Sequence, residues 1–306
     1  GTTGDEYSRC APLRVRAQEL HSGRGNVKLV VRPEGIFYQL NEDKATYRYI
    51  QAAANTSTLQ DLFTATAGTT LGPYTGFYYS AYTVSYDSTD TILTTFQPKD
   101  SFSIENNEAR LGKLQWLIGH TKCKMRPQND GQIHVIVPTV SGTAYNVEYR
   151  FNVETYHPLY DMTKRLRFVS PNMEVVRSYD GDENHYLARV TSSASYNLAP
   201  KLHTTITRLT GTAQASSIAS AKIESYELDS DSGMARVPMN VGQEIWDYVN
   251  VTDSKTGESK AGNVQFIQRN VRIHRDNRPL TWDMVIGFGR VSEQGLINFQ
   301  MAEGGD

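Results

Sequence analysis

Histidine and cysteine are the residue types here that could hold a transition metal, and one pair of them is closely spaced. His120 and Cys123 lie three residues apart and could supply two zinc ligands. A structural zinc site needs about four ligands, usually as two short-spaced pairs. The other cysteine, Cys10, has no histidine closer than His21. We therefore interpret His120 as a helix-end residue and expect both cysteines to be free thiols without metal.

Two acidic clusters share features with calcium sites. The segment from Asp229 to Gly233 resembles the opening of a calcium loop, but its glycine comes one position early. Asn240 occupies the position that should supply a bidentate glutamate. The second cluster, Asp180, Asp182 and Glu183, has no further ligands fixed by spacing. Asp, Ser and Gly are ordinary turn residues, so we predict solvated turns at both places.

Signatures of nucleophilic catalysis are missing from the sequence. It contains no Gly-x-Ser-x-Gly elbow and no glycine-rich loop before Lys-Ser or Lys-Thr. Lys255 to Gly257 matches a fragment of the β-lactamase motifs, but no Ser-x-x-Lys accompanies it, and we predict a hairpin turn there. Glycosidases need only two carboxylates paired in space, which leave no spacing pattern. We expect no enzymatic activity, no catalytic residues and no cofactor; a carbohydrate-active enzyme stays open as the third interpretation.

The elements around these residues are mostly strands. Alternation of apolar and polar residues over 280–288 predicts a strand with one buried face, to which Trp282 would contribute the largest side chain. Residues 264–273 and 244–251 predict two preceding strands, with turns at 253–257 and 276–279. Together they predict an antiparallel meander. Residues 145–153 predict a further alternating strand.

Three helices are predicted. Ser57 and Gln60 have the form of a capping box, which begins a helix that carries Leu59, Leu62 and Phe63 and stops at Gly68. The second helix runs from about residue 107 to 119 with its leucines on one face. The third begins near residue 212, continues to about 222 and is crowded with small residues, so we expect it to pack closely on a sheet.

Composition limits the classes of function. The chain has 306 residues, 39% of them hydrophobic, and frequent Thr, Val and Tyr favour strands. Its 31 basic and 33 acidic residues give a formal net charge of -2, which offers no global attraction for nucleic acid or an anionic membrane. No apolar run reaches transmembrane length, and the first residues lack the pattern of a signal peptide.

Three segments carry a resemblance to a known family. The first is Leu111 to Gly119 followed by Gly131 to Pro138, a small helix-then-strand module. The second is Leu166 to Asn172 before a strand, with a small-residue helix near 213–223. The third runs from Val237 to Asp253, followed by a Gly turn at 262–267 and the closing strand 280–289. In feature order over about residues 100 to 295, the chain resembles the central hub proteins of phage tail baseplates.

This resemblance implies a mainly β protein with two tube-like antiparallel β-barrel domains and a small α/β insertion. The first domain would span 1–100, completed by strands from about 145–205; the α/β module would span 101–145, and the second domain 206–306. The implied role is a structural ring, a homotrimer in the virion tail that is assembled in the host cytoplasm. Its expected partners are the tail tube and the spike or baseplate proteins, with no specific nucleic acid. We expect no lytic domain after it.

The alternative function is a carbohydrate- or surface-binding β-sandwich protein, similar to an adhesin. Its glycan platform would consist of exposed tyrosines, for which Tyr74, Tyr78, Tyr79 and Tyr82 are the clearest set. Tyrosine is amphipathic and equally common in cores and interfaces. We therefore favour a core or interface role for these four residues.

Overall fold

The computed structural model describes residues 11–23, 26–71, 76–150, 158–272 and 281–289. The helices are α1 (Ile36–Glu42), α2 (Leu59–Gly68), α3 (Thr91–Thr95), α4 (Arg110–Ile118), α5 (Ser193–Tyr196) and α6 (Thr212–Ser230). The first eight strands are β1 (Arg14–Gly23), β2 (Asn26–Glu34), β3 (Tyr49–Ile50), β4 (Val84–Tyr86), β5 (Ser103–Ile104), β6 (Lys124–Pro127), β7 (Ile133–Ile136) and β8 (Val147–Arg150). The others are β9 (Asp161–Leu166), β10 (Met173–Arg177), β11 (Leu187–Thr191), β12 (Leu202–Ile206), β13 (Asp231–Pro238), β14 (Tyr248–Asp253), β15 (Glu258–Arg272) and β16 (Thr281–Phe288).

The predicted helices are present with shifted ends. Helix α2 is capped by Thr58, whose hydroxyl accepts from the Asp61 amide while the Asp61 carboxylate accepts from the Thr58 amide. The capping box is therefore one residue later than the predicted Ser57 and Gln60, because aspartate at the third helical position reaches back as well as glutamine does. Helix α4 begins at Arg110 rather than near 107, and α6 continues eight residues beyond the predicted end at 222.

A first apolar core joins the helices to three small sheets. Helices α1 and α2 pack against α4, and α6 packs on β10 and β11. The core extends from Ile36 through Leu62, Phe63 and Leu114 to Ile218 of α6. The small residues of α6, among them Ala215 and Ala219, are buried against the sheet, as predicted.

No helix in the described ranges is both long and apolar enough to cross a membrane.

The C-terminal meander is confirmed where it is described. Strand β15 pairs antiparallel with β14 and β16, and the turn at 253–257 contains Gly257 at a φ of 74°. The turn predicted at 276–279 lies outside the described residues. Strand β14 begins at Tyr248, not at 244, because residues 240–247 form a turn in which the Asp247 carboxylate accepts from the Glu244 amide and the Gln243 side chain.

The meander belongs to a six-stranded sheet of order β8-β14-β15-β16-β13-β9. This sheet curls until its two ends approach each other. The Leu159 amide donates to the Arg150 carbonyl at 3.0 Å, and the Tyr160 amide donates to the Arg236 carbonyl at 2.9 Å. Residues 158–160 therefore bridge β8 to β13. Of the strand predicted over 145–153, residues 147–150 form β8 and residues 151–153 lie outside the described part.

A second apolar core fills the curled sheet, and it corrects two expectations. Met284, Ile286 and Phe288 of β16 are buried in it, but Trp282 is 53% exposed. Trp282 is the second residue of β16, and its side chain lies mostly outside the apolar core. The other face of β16 is buried as well, at Asp283 and Val285, so the expectation of a single buried face is wrong for this strand.

The protein is thus mainly β, with a curled half-barrel sheet and several helices. Residues 36–118 contain α1 to α4 and only short strands, so this part is more helical than a tube-like domain was expected to be. Its apolar side chains recur at helical spacing and pack on one another. The division of the chain at residues 100 and 145, and the pair of tube-like barrels, stay predictions.

Candidate functional site

The metal-ligand pair of the sequence is buried and otherwise engaged. His120 lies after α4, where its Nδ1 is 2.8 Å from the Trp116 carbonyl and its ring lies edge-on to Trp116 and near Phe96. Burial lowers the pKa of His120 to about 3. Cys123 is a free thiol whose sulfur accepts from the Asp90 amide at 3.4 Å, and burial raises its pKa. Within the described ranges, no three His, Cys, Asp or Glu residues are grouped to hold a metal.

The acidic cluster from Asp229 to Gly233 is not the solvated turn that was predicted. It is a junction at which α6 ends at Ser230 and β13 begins at Asp231. Ser232 and Gly233 are buried between β9 and β16, and Asp231 forms an ion pair with Lys260. A Cβ on Gly233 would lie 2.6 Å from the Thr163 carbonyl oxygen, so close strand packing explains the glycine.

The second acidic cluster is a turn, as predicted, and an arginine organises it. Residues 178–186 connect β10 to β11. Arg208 forms an ion pair with Asp182 of this turn and a two-pronged pair with Asp100 at 2.7 and 2.8 Å. Its guanidinium also lies 4.8 Å from the centre of the Tyr179 ring. A protein cation, Arg208, thus engages Asp182 of this turn.

Of these four tyrosines, the three that the structure describes do not form the platform that glycan binding would need, because Tyr78 is buried and Tyr82 is half-buried. Tyr78 is buried in the first core, where the Arg110 guanidinium lies 4.4 Å from its ring. Tyr82 donates to Gln39 at 2.8 Å, and Tyr79 is 96% exposed. Tyr74 lies outside the described residues. The core interpretation is therefore confirmed for Tyr78.

Sequence reasoning missed a polar cluster beneath β12. The Glu174 carboxylate is fully buried, with His203 Nδ1 at 2.8 Å, the Thr205 hydroxyl at 2.5 Å and the Tyr226 hydroxyl at 3.3 Å. Each partner comes from β12 or α6. An acid beside a histidine is the pattern of a base and its orienting group. However, the Thr205 hydroxyl donates to the carboxylate and not to His203, so the cluster ties α6 and β12 to β10.

A cavity of about 510 Å³ lies between β6, α6 and the curled sheet. Lys124 enters its wall, donates to the Ser225 hydroxyl at 2.7 Å and lies 5.4 Å from the Trp246 ring centre. Burial lowers the pKa of Lys124. Trp246 itself has a φ of 73°, a conformation that bulky residues rarely adopt. A buried lysine with a lowered pKa can serve as a nucleophile. In this protein the hydrogen bond from Lys124 to Ser225 instead connects β6 to α6.

The exposed apolar residues are the remaining candidates for function, and many of them fall into two groups. One group lies on the β1–β2 hairpin and its root: Leu13, Val15, Leu20 and Val31. The other lies on or near the sheet of β10, β11 and β12: Leu187, Leu198, Leu202 and Ile206. Large contiguous apolar surface on a folded chain marks interaction sites. Strand alternation could have indicated the hairpin, since apolar and polar residues alternate over part of 14–34.

No protein-family model matches the chain, and no curated protein matches it in sequence. Solved structures do match its fold. A tail protein from Neisseria meningitidis MC58 is 9% identical with a TM-score of 0.61, over 92% of this chain and 80% of that one. The 43 kDa tail protein of prophage MuSo2 from Shewanella oneidensis is 14% identical with a TM-score of 0.58, over 90% of this chain and 77% of that one.

A third match is the prophage tail protein gp18 from Listeria monocytogenes EGD-e. It is 12% identical with a TM-score of 0.54, and the similarity spans 99% of this chain and 86% of that one. At such identities the similarity is one of fold. It covers 90% or more of this chain in each of the three structures.

Proposed function

We propose that this protein is a structural component of a phage-type tail and resides in the virion. The observation that carries the proposal is the common fold, which extends over 90% or more of the chain in three proteins described as tail proteins. A shared fold alone does not define function. The polar clusters add support, because their hydrogen bonds connect elements of the fold: Glu174 of β10 is bound by β12 and α6, and Lys124 of β6 is bound to α6.

The finer proposal is a central hub, in which three copies form a ring between the tail tube and the spike or baseplate. The feature order over residues 100–295 supports it, as does the curled sheet, whose strands could line a ring. A ring subunit functions through surfaces that its neighbours cover on assembly. The exposed apolar hairpin and sheet provide such surfaces.

Light scattering over a concentration series tests the ring. We expect the weight-average mass to rise from that of one chain to that of three at high concentration, since a ring that normally has partners can be labile alone. A protein that stays monomeric at every concentration, with the same fold, would contradict the homotrimer.

The absence of enzymatic activity is part of the proposal. We expect no turnover of peptidoglycan or of common polysaccharides by the purified protein, assayed by release of reducing sugars and soluble peptides. The Glu174→Gln variant is the matched control, because it removes the most deeply buried carboxylate that has a histidine partner. Turnover that disappears in this variant would replace the structural proposal with a hydrolase.

A further inference from the structure

The cavity between β6, α6 and the curled sheet has the size and the lining of a small-ligand site. Its volume of about 510 Å³ lies within the roughly 300–1,000 Å³ that is typical of ligand pockets. Such pockets are mostly apolar and contain a few polar groups that orient the ligand. The apolar part of this lining consists of Phe37, Ile118, Met125, Ile245 and Trp246.

Lys124 is a cation in this lining without a countercharge in contact. Its ammonium donates to the hydroxyl of Ser225 at 2.7 Å, and that acceptor is uncharged. Among the described residues, no carboxylate oxygen lies within 4.0 Å of the Lys124 nitrogen. Burial lowers the pKa of Lys124, because the charge of this half-buried ammonium is not fully balanced. An ammonium has three donors, so an anion in the cavity can accept from it without displacing Ser225.

Two acidic residues near the cavity limit the charge of such an anion. Glu224 and Asp229 act on Lys124 through space and favour its charged form. Glu224 is paired with Lys122 at 2.8 Å, and Asp229 is an exposed residue of the cavity lining. An anion with two charges, such as phosphate, would be repelled by these carboxylates, whereas a single carboxylate balances the one ammonium.

Trp246 adds backbone strain at the same place. Its φ of 73° is rare for a bulky residue. Strand β15 holds this conformation, because the Trp246 amide donates to the Val264 carbonyl at 2.6 Å and the Trp246 carbonyl accepts from the Asn263 side chain at 3.1 Å. Strain of this kind is concentrated at ligand clamps and active sites. Here it places an aromatic ring 5.4 Å from the Lys124 ammonium, in the wall of the cavity.

We propose that this cavity binds a single carboxylate that carries an apolar group. The carboxylate accepts from Lys124, and the apolar group packs against Met125, Ile245 and Trp246. A free organic acid and the carboxyl-terminal residue of another protein both present this chemistry. The site lies within one chain, so it does not depend on the proposed ring.

Calorimetric titration of the wild-type protein with phenylacetate tests the site. Phenylacetamide is the matched ligand, since it has nearly the same shape and no charge. We expect saturable binding of one phenylacetate per chain. Phenylacetamide should bind about tenfold more weakly, because it lacks a charge-assisted hydrogen bond to Lys124. Equal affinity for the two ligands would overturn the assignment of a carboxylate.

The role of Lys124 is tested by Lys124→Met, which keeps the length of the side chain and removes its charge. We expect about a tenfold loss of phenylacetate affinity. Lys44→Met is the control, because Lys44 is exposed and donates to the Asn41 carbonyl instead of lining the cavity. Its affinity should equal that of the wild type. An undiminished affinity in Lys124→Met would contradict the proposal.

Nuclear magnetic resonance of methyl-labelled methionine locates the ligand in the wild-type chain, without a variant that has to fold. The methyl resonance of Met125 should shift on saturation with phenylacetate, because Met125 lines the cavity. Met284 is the internal control, since it is buried in the second core, and its resonance should not move. Binding that leaves the Met125 resonance unchanged would place the ligand elsewhere and overturn the site.

A tetrapeptide that ends in phenylalanine distinguishes the two sources of the carboxylate. Tighter binding than that of phenylacetate, lost when the terminal carboxylate is amidated, supports the end of a protein chain. Binding no tighter than that of phenylacetate supports a free acid. Absence of saturable binding of both acids up to about 10 mM would overturn the proposal. That result would leave the ring unaffected, because light scattering tests the ring separately.

Discussion

His134 shows how single residues shape the stability of this chain. Its Nδ1 lies 2.9 Å from both oxygens of Asp87, and its Nε2 lies 3.0 Å from Asp130. Burial opposes protonation of His134, but the hydrogen bonds to both carboxylates outweigh it and raise its pKa above the usual value. The Gln132 amide and His134 lower the pKa of Asp130. His134, which lies in β7, therefore connects Asp87, the residue after β4, to Asp130 in the turn between β6 and β7.

The pH dependence follows from the direction of these shifts. A raised pKa in the folded chain means that stabilisation is complete below the unfolded pKa of about 6.5 and is lost as pH rises through the folded value. The lowered carboxylate pKa values add stability above about pH 4, which is lost on further acidification. The contribution should be largest between about pH 4 and 6.5.

We expect His134→Gln to lower the melting temperature by a few degrees at pH 6 and by less at pH 9. Thermal unfolding followed by circular dichroism at both pH values measures this. His185→Gln is the matched control, because His185 is exposed. Equal destabilisation at the two pH values would show that His134 acts through packing alone.

The elements of the fold could be predicted where a pattern is local. The meander, α2, α4 and α6 were recognisable from alternation, capping and helical spacing. The N-cap of α2 is Thr58 and not the predicted Ser57. Both residues carry a hydroxyl that can cap a helix, and either Asp61 or Gln60 could reach back to the amide of the cap residue. The junction at Asp231 was not predictable, since turn-forming residues there are recruited into a strand by pairing with β9 and β16.

What local patterns could not show is where a strand lies relative to the core. Strand β16 was predicted to have one buried face, yet both of its faces are buried after Trp282, and Trp282 itself lies mostly outside the core while Met284 two residues later is fully buried. The same limit applies to the Glu174 cluster, because the partners of Glu174 lie 29 to 52 residues from it in the chain. Burial depth and such contacts depend on the whole sheet.

The difference in burial between Trp282 and Met284 on β16 is testable. We expect Met284→Ala to reduce the free energy of unfolding by about 2–5 kcal/mol, the usual cost of emptying a buried site of this size. Trp282→Ala should cost less than Met284→Ala, because more than half of the Trp282 side chain remains in solvent. Urea denaturation of both variants measures the order. A larger loss for Trp282→Ala would mean that the strand is buried to its start.

At the scale of the whole molecule, two features stand apart from the cores. The curled six-stranded sheet nearly closes on itself at Arg150 and Leu159. The β1–β2 hairpin exposes Val15, Leu20 and Val31, and the sheet of β10, β11 and β12 exposes Leu187, Leu202 and Ile206. A folded monomer gains little from exposed apolar surface. Such surfaces are consistent with the proposed role of a subunit that neighbours cover on assembly.

Electron cryomicroscopy of intact tails from particles that encode this chain tests the proposed ring. We expect density for three copies of the chain in a ring between the tail tube and the spike. Tails that lack the protein, or that contain it as an isolated monomer, would contradict the proposal.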